Sequence, residues 1–108
     1  MGQDERYDGS QTVEMRPLIG LTSGLPDADL EHLTVDAILK HRRLAADADD
    51  LFQQLPENIK HGRSAGGPLH REYLKAMMAM HAQMSVVSSL LVILGRVPAI
   101  PSETDPVR

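Results

Sequence analysis

Twenty-nine consecutive residues, 27–55, contain neither glycine nor proline and carry apolar side chains at helical spacing, which commits this stretch to one long helix. Leu30, Ala37, Leu44 and Leu51 mark its stripe, with Ile38, Ala45, Ala48, Phe52 and Leu55 alongside. Pro26 pre-sets the first turn, and Asp27, Asp29 and Glu31 lie where the positive end of the helix dipole favours acids. At a rise of ~1.5 Å per residue the helix is roughly 43 Å long, and Pro56 stops it.

A second helix is expected over about 68–95. Pro68 opens it, and Tyr73, Met77, Met80, Met84, Val87, Leu91 and Leu94 recur in alternating steps of four and three, the seam of a coiled coil. Gly95 suits a left-handed cap, and 97–101, with Pro98 and Pro101, leaves in an extended conformation. Between the helices, 56–67 holds Asn58, Gly62, Ser64, Gly66 and Gly67; it reads as a loop with at most one helical turn at 57–61. Two long helices joined this way pack as an antiparallel hairpin, so the chain is all-α. Placing Leu55 opposite Pro68 sets the register: Leu30 near Ile93, Ala37 near Val86, Leu44 near Ala79, and Leu51 near Glu72 and Tyr73. Residues 14–101 form one helical domain. A leader at 1–13 and a tail at 102–108 lack any apolar period and are expected to be flexible. The arm 16–25, punctuated by Pro17, Gly20 and Gly24, reads as an extended piece or one helical turn.

One hairpin does not use up the apolar surface. Seven of the nine residues from Val86 to Leu94 are apolar, so the second helix is greasy all round where the register sets it beside Leu30, Leu33, Val35, Ile38 and Leu39. A second copy meeting this open end about a two-fold axis makes a four-helix bundle. The expected homodimer contact comprises Leu30, Leu33, Ile38, Val86, Leu90, Ile93 and Leu94.

Composition excludes several function classes. A net charge of -4 gives no clustered basic face for nucleic acid. With no cysteine there is no disulfide, thiolate metal site or Cys nucleophile. The polar, acidic start is not a secretory signal, and the dense apolar run Val86 to Leu94 is far short of the ~20 residues of a membrane span, so a cytoplasmic location is expected. His41 and His81 fall at one level of the register. Two imidazoles need further ligands to hold a metal, and only Gln83, Asp47 and Ser85 are near, so they read as a polar layer fixing the register. His32, His61 and His70 read as surface, Asp47, Asp49 and Asp50 as the wet side of the first helix, and the methionines as core filling. No acid, base and nucleophile converge, so neither an enzyme nor a cofactor or small-molecule substrate is expected.

The order of short words along the chain carries more. Arg16-Pro17-Leu18-Ile19-Gly20-Leu21-Thr22, Gly24-Leu25-Pro26, Asp36-Ala37-Ile38, His41-Arg42-Arg43-Leu44, Leu51-Phe52-Gln53, Gly66-Gly67-Pro68, Met80-His81-Ala82-Gln83-Met84-Ser85 and Ile93-Leu94-Gly95 together resemble the TraM family of quorum-sensing antiactivators, from Val13 to about Pro98. The resemblance implies an all-helical homodimer that binds a TraR-like, LuxR-type transcription activator dependent on an acyl-homoserine lactone. It implies that binding keeps the activator off DNA and so holds down plasmid conjugal transfer. Under that implication the activator contacts are expected at Pro17, Leu18 and Leu21 of the arm, at the basic pair Arg42 and Arg43, and at Leu55 and Tyr73 near the loop end. The rival is a helical interaction module with a different protein partner.

Overall fold

The computed structural model describes residues 16–101; the expected leader and tail lie outside the described residues. Four helices follow one another: α1 at 16–22, α2 over Asp27–Gln54, the single turn α3 over Glu57–Lys60, and α4 over Pro68–Leu94. No strand occurs among the described residues. The arm is therefore more ordered than its Pro17 and Gly20 suggest. Nearly two turns of helix form, and the Thr22 hydroxyl closes them by donating to the Leu18 carbonyl at 2.7 Å.

Backbone chemistry sets the helix ends. The Pro26 carbonyl accepts the amides of Asp29 and Leu30 at 3.0 and 3.1 Å, with Asp27 and Asp29 in the first turn of α2. At the far end the Leu55 amide donates to the Phe52 carbonyl before Pro56 turns the chain away. Gly95 ends α4 in the left-handed region, at φ 85°, with its amide on the Leu91 carbonyl at 2.9 Å. A side chain there would be strained, which is why glycine occupies the position.

α2 and α4 pack along their length as an antiparallel pair. The register holds to within a turn: Arg96 reaches Asp27, Gln83 donates to the Ala37 carbonyl at 3.1 Å, and Phe52 meets Tyr73 with ring centroids 5.6 Å apart. The seam mixes leucines with small groups. Leu30, Ala37, Val87, Leu90 and Leu94 form the main cluster, and Ile38, Val86, Leu91 and Ile93 pack on its flanks. Ala48 and Leu55 are buried nearer the loop. Thr34 is the largest side chain that is completely buried, its hydroxyl turned back onto the Leu30 carbonyl at 2.8 Å. Every large apolar residue keeps some exposure, and the radius of gyration is 17.3 Å against ~13 Å for a compact domain of 100 residues.

α4 as a whole, not only its run Val86 to Leu94, is long and apolar enough to match a membrane span in length and composition. Its alanines, serines and methionines extend the apolar length beyond the dense run. Its packing is that of a water-exposed hairpin: α2, held against it throughout, carries seven acids and three bases, which no bilayer interior accommodates.

Two outcomes are expected. Leu90→Ala, at a 5% exposed position, lowers unfolding stability in urea by about 2–4 kcal/mol, whereas Leu74→Ala on the outer face of α4 changes it by under ~0.5 kcal/mol. Deletion of the Gly95 conformation by Gly95→Val frays the last turn of α4, read as faster amide exchange of residues 91–96 than in the parent.

Candidate partner-binding surfaces

Four surfaces remain available once the hairpin has formed. The first is the arm. The left-handed turn at Gly24, φ 86°, and the Leu25 amide on the Thr22 carbonyl at 3.1 Å join α1 to the start of α2. Leu21 is 78% exposed and Ile19 48%, while Pro17 is exposed and Leu18 half-buried. The exposed side chains Leu21 and Ile19 form an apolar surface that another molecule could cover.

The second is the outer side of α2. Arg42 and Arg43 are both exposed, next to Lys40 and Asp47, and belong to a helix whose other charges are mostly acidic. Asp47, Asp49 and Asp50 lie on the wet side as expected, and Asp36 is exposed as well, so the basic pair is an island in a negative field.

The loop end is the third. Phe52 and Tyr73 make a tilted ring pair, and the Lys60 ammonium lies 5.7 Å from the Phe52 centroid, within cation–π range. Asn58 organises the loop above them: its carbonyl accepts the amides of Arg63 and Ser64, and its side-chain amide donates to the Ser64 hydroxyl. The Gly66 amide donates to His70 Nδ1 at 2.8 Å, which ties the glycine pair to the first turn of α4. Tyr73 stays half-exposed here. Leu55, in contrast, is only 4% exposed, so it serves the core and is not a free contact surface. The helix period places it one turn beyond Leu51, in line with the stripe.

The open end is the fourth. Of the residues expected at a dimer contact, Leu30, Leu90 and Leu94 are buried within the chain, and Ile38, Val86 and Ile93 are half-buried on its flanks. Leu33 is 43% exposed, and Val92 and Val97 more so. Met78, expected in the core, is 69% exposed on the outer face of α4. A step of one residue from the seam position Met77 rotates it by ~100° away from α2.

Arg96 was not singled out from the sequence. It seals the open end with two nitrogens on the Asp27 carboxylate, at 3.2 and 3.0 Å, and a further hydrogen bond to Glu31. The fork geometry suits a guanidinium. Donation by Arg96 holds the Asp27 carboxyl below the usual carboxylate range, and both acids hold the Arg96 guanidinium above its own. The only signal in the sequence was one isolated arginine one residue past a helix cap, opposite three acids in the register. His41 and His81 do not form the expected polar layer. His81 is exposed, and the polar crossing at that level is the bond from Gln83 to the Ala37 carbonyl. No cluster of metal-ligating side chains occurs among the described residues.

Comparison with known proteins gives one answer throughout. Residues 1–99 match the family model described as prokaryotic transcriptional repressor TraM. A transcriptional repressor TraM of Agrobacterium fabrum (strain C58 / ATCC 33970) is 58% identical over 89 residues, which cover 82% of this chain and 87% of the relative. That of Rhizobium radiobacter is 55% identical over 91 residues, covering 84% and 89%. In three dimensions the chain is similar to the crystal structure of a second quorum-sensing antiactivator, TraM2, from A. tumefaciens strain A6. The TM-score is 0.78 at 55% sequence identity, over 80% of this chain and 97% of that one. With the family model spanning nearly the whole chain and both relatives aligned over more than four-fifths of it, the chain belongs to the TraM family of prokaryotic transcriptional repressors.

Proposed function

We infer that this protein is an antiactivator: it binds a TraR-like, LuxR-type transcription activator, keeps it from DNA and so restrains plasmid conjugal transfer. The observation that carries this reading is the fold shared, at 55% identity and over 97% of its length, with a protein solved as a quorum-sensing antiactivator. The physical features fit a binding role. Four exposed surfaces are present, no cluster of metal ligands occurs among the described residues, and the polar chemistry is spent on helix ends and register. A regulatory protein of this kind acts in the cytoplasm, where the activator meets its promoter.

The functional form is a homodimer. Its support is the thinness of the single-chain core: only about a fifth of the apolar window of α4 is buried within the chain, and no large apolar side chain is wholly enclosed. A second hairpin applied to Leu33, Ile38, Val86 and Ile93 completes a four-helix bundle around the cluster of Leu30, Leu90 and Leu94. The activator contacts are then the exposed basic pair Arg42 and Arg43, the loop-end ring of Tyr73, and Pro17, Leu18 and Leu21 of the arm. The acidic side of α2 complements the basic DNA-binding surface such an activator must have, which speeds encounter and disfavours wrong partners.

The decisive experiment is co-purification with the cognate activator, with and without its lactone signal, followed by promoter binding in a gel shift. Capture of the activator and loss of its promoter band are expected; an activator that stays on its promoter in excess of this protein overturns the reading. Replacing Arg42 and Arg43 together by alanine is expected to weaken the activator complex through faster dissociation, because a local contact is lost, while sedimentation still reports the dimer. Lowering pH through the depressed carboxyl value of Asp27 removes its pairing with Arg96. That contribution to stability is complete above the ordinary carboxylate value of ~3.9 and disappears as pH falls through the lower folded-state value. Arg96→Gln is therefore expected to remove part of the acid sensitivity seen in thermal melts between about pH 5 and pH 2.

A further inference from the structure

The loop between the long helices is held by two ties of different chemistry. Its first half is tied to Asn58, whose carbonyl accepts the Arg63 and Ser64 amides at 2.8 and 3.1 Å and whose side-chain amide donates to the Ser64 hydroxyl at 2.7 Å. None of these groups titrates near neutrality. The second half is tied to His70, where Nδ1 accepts the Gly66 amide at 2.8 Å. Packing adds little here: Gly66 and Gly67 both lie in the left-handed region at φ 97°, and a Cβ built on either meets nothing within 4 Å.

The second tie stands where a helix start commonly carries an acid or a hydroxyl. α4 begins at Pro68 after Gly67, which has no side chain to cap it, and its first turn contains no acid. His70 is the third residue of the helix, the position from which a Glu or Gln reaches back to the preceding backbone in a capping box. The half-buried imidazole takes that role with a ring nitrogen. Such a nitrogen accepts only while it carries no proton, so this tie requires a neutral ring with its hydrogen on Nε2. His61 is the opposite case. Its Nδ1 faces the Glu57 carbonyl at 2.9 Å and the Glu57 carboxylate at 3.4 Å, both acceptors, so Nδ1 keeps its hydrogen in either charge state.

We propose that His70 is a proton-sensitive latch on the connecting loop: the neutral ring holds Gly66 against the first turn of α4, and protonation releases it. Two effects act in the same direction. Protonation removes the acceptor, and it sets a positive charge at the positive end of the α4 dipole. The charged groups around the ring do not compensate. On α3, Glu57 is engaged by Lys60 and His61; on α4, Glu72 is engaged by Lys75, and Arg71 is basic; the loop adds Arg63. The last turn of α2, Leu51 to Gln54, has no charged residue, and Asp49 and Asp50 lie farther along that helix. Release frees the glycine half of the loop while the Asn58 tie and the seam stand, and it loosens the approach to Tyr73, one turn into α4 from His70. The response falls near neutrality, apart from the carboxylate range in which Asp27 parts from Arg96.

The test follows the full-length protein by NMR from about pH 7.5 to about pH 5.5, across the range where imidazoles titrate. At the upper end the nitrogen spectrum of the His70 ring is expected to show Nδ1 without a proton. On acidification the protection factor of the Gly66 amide, which is already corrected for the intrinsic pH dependence of exchange, is expected to fall about three- to tenfold, the loss of one hydrogen bond. His70→Asn sets an oxygen acceptor as many bonds from the backbone as Nδ1 and does not titrate, so its Gly66 protection stays level with pH, while His61→Ala keeps the parental step. A His70 ring protonated on Nδ1 at about pH 7.5 overturns the latch, as does a step that is missing from the parent or retained in His70→Asn. An equal fall at Val87, buried in the seam, overturns it too, because the change is then not local to the loop.

Discussion

The packing of α4 against α2 is the contact on which the rest of the molecule depends. Leu30, Leu90 and Leu94 fill its core beside the small Thr34 and Ala37. Gln83 donates to the Ala37 carbonyl of the opposite helix, a hydrogen bond that fixes the register alongside the packing. A pair of helices shares only one face, and other large side chains are left on its flanks. Leu33, Leu91, Met84 and Ile93 border the seam without being enclosed by it, so the apolar surface that a thicker core would have absorbed is left on the outside. Burial contributes ~25 cal/mol per Å², and a hairpin that leaves this much uncovered recovers only part of what its composition offers.

Charge is arranged around this seam in a way that separates holding from meeting. Arg96 and its two acids lie at the open end and are mutually satisfied, with Asp27 and Arg96 holding each other in the charged form. The acids along the wet side of α2 and the arginine pair among them have no such closure and project outward. The loop end differs again: four bases and two acids lie between Glu57 and Lys75, around an aromatic pair with a cation over one ring. Three chemically distinct regions therefore follow one another along the hairpin.

Much of this was legible in the residues. The uninterrupted stretch before Pro56, the Pro68 start and the Gly95 cap define elements by local rules, which need no tertiary information, and the register follows from loop length. The TraM resemblance rested on word order along the whole chain, a global property that single substitutions do not erase. Less visible was anything decided by a rotation of one residue about a helix axis. Met78 and His81 read as inward because their neighbours do, yet each lies about 100° off the seam. Leu55 was expected at an activator contact because it lies near the loop end, although it sits beside the stripe and is buried. The arm was underestimated because proline and glycine were weighed as breakers, whereas Pro17 falls in the first turn, where its missing amide costs nothing. Arg96 gave almost no signal, since an ion pair spanning 69 residues leaves no local pattern.

That long span bears on how the hairpin assembles. Phe52 and Tyr73 are separated by a short loop already folded around Asn58, so their encounter carries the smallest closure entropy of any cross-helix contact described above. Gln83 on Ala37 comes next in separation, and Arg96 on Asp27 last. Zipping from the loop outward makes each contact local by the time it forms, which keeps the folding search short for a chain whose two ends of the seam are far apart in sequence. It also leaves the apolar open end as the final part to close, so the exposed apolar face there is completed only when both helices are in place.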